Sequence, residues 1–212
     1  MQTVTSKLFL FDFDGVLVDS LDVYHQAVAW CLERIGMPFV KTQEEYVALF
    51  EDNFYAALVA KGVDLDAFSR ALGEYAGRVD YYRDVKPFAA VLPVLADLCR
   101  DHVLAIISSN SAQAIGKIMA RFHYNGCFRD ILGSEFHWSK KAKIEHLVAK
   151  YGLAPADTFY VGDTTGDIRE GRAAGVRTVA VAWGWHTRDA LAAAEPDFLI
   201  AAPEELRALA AA

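Results

Sequence analysis

The chain has 212 residues, a formal net charge of -7 and a hydrophobic content of 54%. This length suits one well-packed domain that carries a small insertion, and this hydrophobic content excludes an intrinsically disordered chain. The acidic balance argues against a nucleic-acid partner. No apolar run reaches membrane-spanning length, and residues 1–7 lack a signal-peptide pattern, so we expect a cytoplasmic protein. The sequence leaves open whether it is a monomer or a homodimer.

The first predicted element is a buried strand, Leu8-Phe9-Leu10-Phe11, followed directly by Asp12 and Asp14. An unbroken apolar run is typical of a strand covered on both faces in a parallel sheet. Ligands bind at the carboxyl ends of such strands, and side chains two positions apart can face the same pocket. Close carboxylates repel each other unless a cation or a proton neutralises them. We therefore predict a Mg²⁺ and proton-transfer site here, with a simple polar turn as the alternative.

Helical periodicity then extends from residue 20 to residue 83, with no strand signal. The pattern predicts an α-helical cap domain over residues 20–83, inserted into an α/β core formed by residues 1–19 and 84–212. Charged residues on such helices usually lie on a solvated face. The polar or charged side chains that could instead face the acidic site are Glu51, Asn53, Arg78 and Arg83.

A second apolar strand, over residues 103–107, ends in Ser108-Ser109-Asn110 and leads into another amphipathic helix. The amide groups and dipole at a helix start attract anions. Because this strand end lies in the same predicted sheet as Asp12, we expect Ser108, Ser109 and Asn110 to bind a phosphate group. Simple helix capping is the alternative.

Three lysines, Lys140, Lys141 and Lys143, stand at the start of the next predicted helix. Positive charge at this end opposes the helix macrodipole. The cost is easier to understand if one lysine turns inward to a phosphate and a carboxylate, although a solvated surface would show the same pattern.

A further strand over residues 158–161 ends in Gly162-Asp163-Thr164-Thr165-Gly166-Asp167. Asp163 could complete the oxygen shell of a Mg²⁺ ion held by Asp12. Asp167 could orient the ligands from the first turn of the following helix, or serve only as an acidic residue at a helix start.

These strand-end motifs, in this order, resemble those of the haloacid dehalogenase-like (HAD) hydrolase superfamily, in its subfamily with a small helical cap. The resemblance covers nearly the whole chain, and the matching segments are Phe11–Ser20, Ile106–Asn110, Lys141 and Val161–Asp167. It implies an α/β fold with a Rossmann-like parallel sheet core and an inserted helical cap.

The resemblance also implies catalytic roles. Asp12 would attack phosphorus and form an aspartyl-phosphate, and Asp14 would protonate the leaving oxygen and then activate water. Ser108 would bind the phosphoryl group, and Lys141 would neutralise charge on it. Mg²⁺ would be held by Asp12, the backbone carbonyl of Asp14, and Asp163. The choice of Lys141 over Lys140 or Lys143 stays open, because the segment lacks the prolines of many relatives.

The expected function is a Mg²⁺-dependent phosphatase that acts on a small phosphorylated metabolite, phosphoglycolate-like or sugar-phosphate-like. A β-phosphoglucomutase-like mutase is one alternative, suggested by the tract Asp19–His25, in which His25 falls one residue late. One residue turns a side chain by about 100° around a helix, which weakens the mutase interpretation. A non-catalytic protein that binds a phosphometabolite is the second alternative.

Overall fold

The computed structural model describes residues 6–51, 53–122, 126–136 and 138–211. Most of the segment on which the signal-peptide prediction rests lies outside these residues. The strands are β1 (Leu8–Phe11), β2 (Val18–Asp19), β3 (Lys86–Pro87), β4 (Val103–Ile107), β5 (Phe128–Leu132), β6 (Thr158–Gly162), β7 (Arg177–Val181) and β8 (Phe198–Ile200). The α-helices are α1 (Leu21–Arg34), α2 (Gln43–Val47), α3 (Phe54–Ala60), α4 (Leu65–Arg78), α5 (Val91–Asp101), α6 (Ala112–Arg121), α7 (Lys140–Tyr151), α8 (Thr165–Ala173), α9 (Arg188–Ala193) and α10 (Leu206–Ala211).

A parallel sheet of six strands, in the order β5-β4-β1-β6-β7-β8, forms the centre of the molecule. Phe11 at the end of β1 pairs with Ile106 of β4 and Val161 of β6. The carboxyl ends of β1, β4 and β6 therefore meet at one edge of the sheet. The predicted α/β fold with a parallel sheet is confirmed.

Helices cover both faces of this sheet, which explains why β1 is apolar at every position. Phe9 and Phe11 pack in a cluster with residues of α5 and α6, whereas Leu8 and Leu10 pack in another cluster with residues of α7. Successive side chains of a strand point to opposite faces, so a strand between two helical layers needs apolar residues throughout.

Helices α1–α4 lie in residues 20–83, which we call the helical segment, and they have a hydrophobic cluster of their own. The chain leaves and re-enters the core through a short antiparallel pair, in which Val18 pairs with Pro87 and Asp19 with Lys86. Among the described residues, no helix has the length and apolar content needed to cross a membrane.

The capping box at Thr42 and the apolar period that follows it predict one helix that ends before Gly62, and its continuity is wrong. Helix α2 ends at Val47, a 3-10 turn follows, and α3 begins after Asn53. The Asn53 side chain accepts a hydrogen bond from the Ala56 amide at 3.1 Å. An asparagine that caps in this way starts a new helix, which overrides the continuous apolar period.

Candidate active site

Asp12 and Asp14 lie directly beyond β1, at the sheet edge where β4 and β6 also end. Asp12 is only 7% exposed, and its Oδ1 accepts a hydrogen bond from the Phe13 amide at 2.7 Å. Asp14 Oδ1 accepts a hydrogen bond from Ser20 Oγ at 2.8 Å. Both carboxyl groups line one cavity of about 100 Å³. They share a pocket, as their spacing predicts.

A glycine makes the sharp turn after these carboxylates possible. Gly15 has a φ of 78°, and a Cβ at this position would lie 2.5 Å from Asp163 Cγ. A Cβ on Gly184 would lie 2.5 Å from Asp163 Oδ2. Both the positive φ and the close approach require a residue without a side chain. The glycines thus let the Asp163 carboxylate lie against the turn that follows Asp14.

Burial raises the proton affinity of both carboxyl groups. Burial, with the charge of Asp12 as the next cause, raises the pKa of Asp14 to about 7. Burial also raises the pKa of Asp12 to about 6, although the Lys140 ammonium acts in the opposite direction. Near neutral pH a fraction of Asp14 therefore retains its proton, which a general acid needs.

Ser108 follows β4 and is buried beside the carboxylates. Its Oγ accepts a hydrogen bond from the Asn110 amide at 2.9 Å. The following helix α6 is capped by Ser111, whose Oγ accepts from the Ala114 amide at 3.1 Å. Helix capping therefore accounts for Ser111 and not for Ser108.

Ser109 and Asn110 also line the cavity, and both contact the helical segment. The Ser109 carbonyl accepts a hydrogen bond from the Tyr55 hydroxyl at 3.3 Å. The Asn110 side-chain amide is bonded to the Tyr24 hydroxyl and lies 3.5 Å from Asp14 Oδ2. This loop joins the acidic edge of the sheet to the tyrosines above it.

The structure corrects the choice of lysine. Lys140 Nζ lies 2.6 Å from Asp12 Oδ2 and 2.6 Å from Asp167 Oδ1, and the residue lines the cavity. Lys141, which the resemblance indicated, instead forms an ion pair with Glu145 at 2.5 Å on the protein surface. Burial alone would lower the pKa of Lys140, but the Asp12 and Asp167 carboxylates outweigh it and raise the pKa.

The rotational phase of α7 explains this correction. The helix is capped by Ser139, so Lys140 is its first residue. Lys143 is buried one turn later, and its Nζ donates a hydrogen bond to the Ser108 carbonyl at 2.8 Å. Residues three apart share a helix face, whereas Lys141 is rotated by about 100° from Lys140 toward solvent.

Two further carboxylates complete the acidic edge. Asp163 is fully buried after β6, and its Oδ2 accepts a hydrogen bond from the Trp185 amide at 2.7 Å. Asp167, in the first turn of α8, accepts hydrogen bonds from the Tyr160 hydroxyl at 2.8 Å and from Thr164 Oγ1 at 2.7 Å. The sequence pattern does not predict the polar role of Tyr160. Its place in a buried strand could have indicated this role, because a buried tyrosine hydroxyl needs a hydrogen-bond partner.

The oxygen atoms at this edge fit a hard divalent cation. Ligand atoms of Asp12, Asp163 and Asp167 lie within 4.8 Å of one another. Asp163 Oδ1 is buried and has no hydrogen-bond partner among the described residues. Burial, and then the charges of Asp167 and Asp12, raise the pKa of Asp163 well above its usual value. A cation such as Mg²⁺, which prefers oxygen ligands, would remove both costs.

The candidates from the helical segment lie outside this cavity. Asn53 caps α3, and Arg78 forms an ion pair with Glu74 at 2.5 Å. Glu51 and Arg83 have exposed side chains. The alternative that these residues belong to a solvated face accounts for their positions.

Helix α1 does not support the mutase alternative. Tyr24, Ala27 and Val28 of this helix line the cavity, whereas His25 lies along a separate surface depression. His25, which falls one residue late in the mutase-like tract, therefore lies on a different side of the helix from the cavity.

Comparison with known proteins agrees with this geometry. The model of the haloacid dehalogenase-like hydrolase family matches residues 9–181. The phosphoglycolate phosphatase of Synechococcus elongatus is 31% identical over 205 residues, which cover 94% of this chain and 95% of that protein. The phosphoglycolate phosphatase of Pseudomonas putida is 26% identical over 215 residues, and the matched region covers 96% of this chain and 78% of that protein.

The solved structure of a haloacid dehalogenase-like hydrolase from Streptococcus pneumoniae has the same fold. It superposes with a TM-score of 0.78 at 22% identity, over 96% of this chain and 98% of that one. The relatives are enzymes, which does not favour a purely binding protein. This chain belongs to the haloacid dehalogenase-like hydrolase family, within which it is a phosphoric monoester hydrolase.

Proposed function

We propose that this protein is a Mg²⁺-dependent phosphatase that hydrolyses a small phosphomonoester through an aspartyl-phosphate on Asp12. The observation that carries the proposal is the presence of two unlike carboxyl groups in one cavity. The two groups differ in their partners, because Asp12 is paired with the Lys140 ammonium at 2.6 Å, whereas Asp14, whose pKa is raised to about 7, accepts a hydrogen bond from Ser20 Oγ at 2.8 Å. Such a pair supplies a nucleophile and a proton donor from neighbouring side chains.

The reaction proceeds in two steps. A carboxylate oxygen of Asp12 attacks phosphorus, the bond to the leaving oxygen breaks, and Asp14 donates its proton to that oxygen. Asp14 then accepts a proton from a water molecule, whose oxygen attacks phosphorus and releases the Asp12 carboxylate. One ester and one water molecule thus give one alcohol and one inorganic phosphate.

Asp12, Asp163 and the backbone carbonyl of Asp14 would hold the Mg²⁺ ion. When bound, the ion supplies positive charge that stabilises the phosphoryl group during transfer. Asp163 Oδ1 has no hydrogen-bond partner in the described part of the chain, which supports its place among the ligands. Asp167 has a supporting role, because it orients the Lys140 ammonium at 2.6 Å.

The phosphoryl group would be bound by the loop after β4 and by Lys140, which takes the role first assigned to Lys141. Ser108, Ser109 and Asn110 line the same cavity as Asp12. A fixed set of hydrogen-bond donors and a cation around the phosphoryl oxygens is the main requirement of phosphoryl transfer.

We further propose that residues 20–83 form a cap domain over a core of residues 1–19 and 84–212. The separate hydrophobic cluster of the helical segment supports this division, and so does the contribution of α1, α3 and α4 to the cavity. The partner is a small phosphorylated metabolite. Because the names of two relatives specify phosphoglycolate as the substrate of those proteins, this ester belongs in the first substrate panel.

The test measures phosphate release from p-nitrophenyl phosphate with Mg²⁺. Asp12→Asn removes the nucleophile, and we expect the rate to fall by more than about 10³-fold. Asp19→Asn is the matched control, because Asp19 belongs to the same segment but is exposed, and it should retain the wild-type rate. Chelation of Mg²⁺ should abolish release. Full activity of Asp12→Asn, or full activity in the presence of the chelator, would contradict the proposal.

A further inference from the structure

The cavity that contains Asp12 and Asp14 has a second half, between the core and the helical segment. There its lining is apolar or aromatic. The residues of this half, which we call the aromatic wall, are Tyr24, Ala27, Val28, Tyr46, Phe50, Phe54, Tyr55, Phe68, Leu72 and Trp185. The phosphoryl end and the leaving-group end of a bound ester would therefore meet very different surfaces.

The rings of the aromatic wall contact one another as a continuous surface. Phe50 lies 4.9 Å from Trp185, 5.0 Å from Phe54 and 5.1 Å from Tyr46, measured between ring centroids. Phe54 in turn lies 6.2 Å from Phe68. Rings at these separations support each other and keep a defined shape.

The cavity offers no spare positive charge to a second anionic group. Among its described lining residues, Lys140 is the only cation, and it is already paired with Asp12 and Asp167 at 2.6 Å. The tyrosine hydroxyls closest to the phosphate loop are bonded to Ser109 and Asn110. The Trp185 Nε1–H has no hydrogen-bond partner among the described residues, but it is a neutral donor, so a carboxylate beside the aromatic wall would lose its hydration without gaining a charged partner.

We propose that the preferred substrate is a phosphomonoester whose alcohol is uncharged and apolar, and that esters with a carboxylate, phosphoglycolate among them, are poor substrates. This inference rests on the proposed function, because it assigns the leaving group to the aromatic wall. Apolar contact lowers the free energy of a bound hydrocarbon group. An unpaired carboxylate in the same place is disfavoured by desolvation and by the nearby acidic edge.

Three primary alkyl esters separate the effect of apolar contact from the effect of a carboxylate. Their leaving oxygens have similar basicity, so differences in rate report on how the alcohol is bound. Benzyl phosphate has an apolar alcohol, 2-hydroxyethyl phosphate has a small neutral one, and phosphoglycolate has a small anionic one. We expect kcat/KM to fall in this order, with benzyl phosphate about 10- to 100-fold above phosphoglycolate. Equal or higher kcat/KM for phosphoglycolate would overturn the inference.

A pair of variants tests the position of the leaving group. Leu72 lies in the aromatic wall on α4, whereas Val59 on α3 is 54% exposed. Leu72→Arg should lower the ratio of kcat/KM for benzyl phosphate to kcat/KM for phosphoglycolate by about tenfold, because the arginine supplies the missing cation. Val59→Arg adds the same charge on the surface and should leave the preference unchanged. Equal effects of the two variants would count against the inference.

A binding measurement separates this inference from the proposed catalysis. Benzylphosphonate and phosphonoacetate cannot be hydrolysed, and their affinities for the wild-type protein can be compared by calorimetry in the presence of Mg²⁺. Tighter binding of benzylphosphonate supports the aromatic wall as the binding surface even if no ester is hydrolysed, in which case only the proposed function fails. Tighter binding of phosphonoacetate overturns the inference whatever the turnover.

Discussion

The two halves of the cavity differ in almost every physical property. At the sheet edge, the carboxylates of Asp12 and Asp167 are paired with one ammonium at 2.6 Å, and their positions follow from strand order. Above it, the rings of the aromatic wall come from separate elements: the helices of the helical segment, the 3-10 turn after α2 and, for Trp185, the loop after β7. Under the proposed function, the sheet edge serves a reaction common to all phosphomonoesters, whereas the aromatic wall can distinguish their alcohols.

Outside this cavity, hydrogen bonds also join the helical segment to the rest of the chain. The Glu51 carbonyl accepts from Arg169 at 2.6 Å and from Thr165 at 3.1 Å. The ring of His186 contacts the Val47 carbonyl at 3.3 Å. Because these bonds use backbone carbonyls of the segment, its side chains can vary without loss of the connection.

The largest expected effect concerns the lysine at the sheet edge. Lys140→Met removes the cation that contacts Asp12, and we expect kcat/KM to fall by about 10³-fold. Lys141→Met is the matched control. It removes an exposed partner of Glu145, so kcat/KM should change by less than about twofold. A larger loss for the Lys141 variant in steady-state assays would show that the structural correction is wrong.

Replacement of a glycine tests how closely Asp163 must approach the turn. Gly15 and Gly36 have φ values of 78° and 77°, but only a Cβ at Gly15 would overlap the Asp163 side chain. Gly36→Ala should lower the free energy of unfolding by about 1–2 kcal/mol through backbone strain alone. Gly15→Ala should cost about 2 kcal/mol more. Urea unfolding measures both, and equal losses would contradict the predicted overlap.

The acidic edge should make the stability of the metal-free protein depend on pH. The pKa of Asp14 is raised from 3.8 to about 7, so its protonated form is favoured by folding. This contribution is fully present below pH 4 and is lost as the pH rises through 7. The free energy of unfolding should fall by on the order of 2 kcal/mol between pH 5 and pH 7, after allowance for partial exposure.

Two comparisons test the origin of this pH dependence. Asp14→Asn cannot ionise, so its unfolding free energy should change less over the same pH range. Mg²⁺ should stabilise the wild-type protein more at pH 8 than at pH 5, because the ion binds ionised carboxylates. A metal-free protein that becomes more stable from pH 5 to pH 7 would exclude this account.

The smallest expected effect concerns one bond between the two halves. Tyr55→Phe removes the hydroxyl that donates to the Ser109 carbonyl at 3.3 Å, while the ring remains in the aromatic wall. We expect the free energy of unfolding to fall by about 1 kcal/mol or less. The kcat for p-nitrophenyl phosphate should stay within about fivefold of wild type. A complete loss of turnover would indicate that this hydroxyl has a direct part in the reaction.

The sequence predicts the sheet edge well because local patterns determine it. The apolar run Leu8–Phe11 requires a doubly covered strand, and the acids behind it follow from that placement. The end of α7 is also determined by a local signal, because Gly152 adopts the left-handed conformation, with a φ of 63°. Motif order therefore brings Asp12, Asp14 and Asp163 to one edge before any tertiary detail is known.

The remaining features depend on tertiary geometry that periodicity does not encode. The choice between Lys140 and Lys141 depends on where α7 begins, and a shift of one residue changes the side that faces the site. Trp185 reaches Asp163 through its backbone amide, which no residue pattern reveals. The aromatic wall also combines residues of separate helices whose relative placement the sequence leaves undetermined.

The most direct test of the account is to trap the phosphorylated enzyme. Asp14→Asn should still react with p-nitrophenyl phosphate, whose leaving group needs little protonation, but it should fail to activate water. Acid quenching followed by peptide mass spectrometry should then find one added phosphoryl group on Asp12. A phosphoryl group on another residue, or turnover with none on the protein at any time, would contradict nucleophilic catalysis by Asp12.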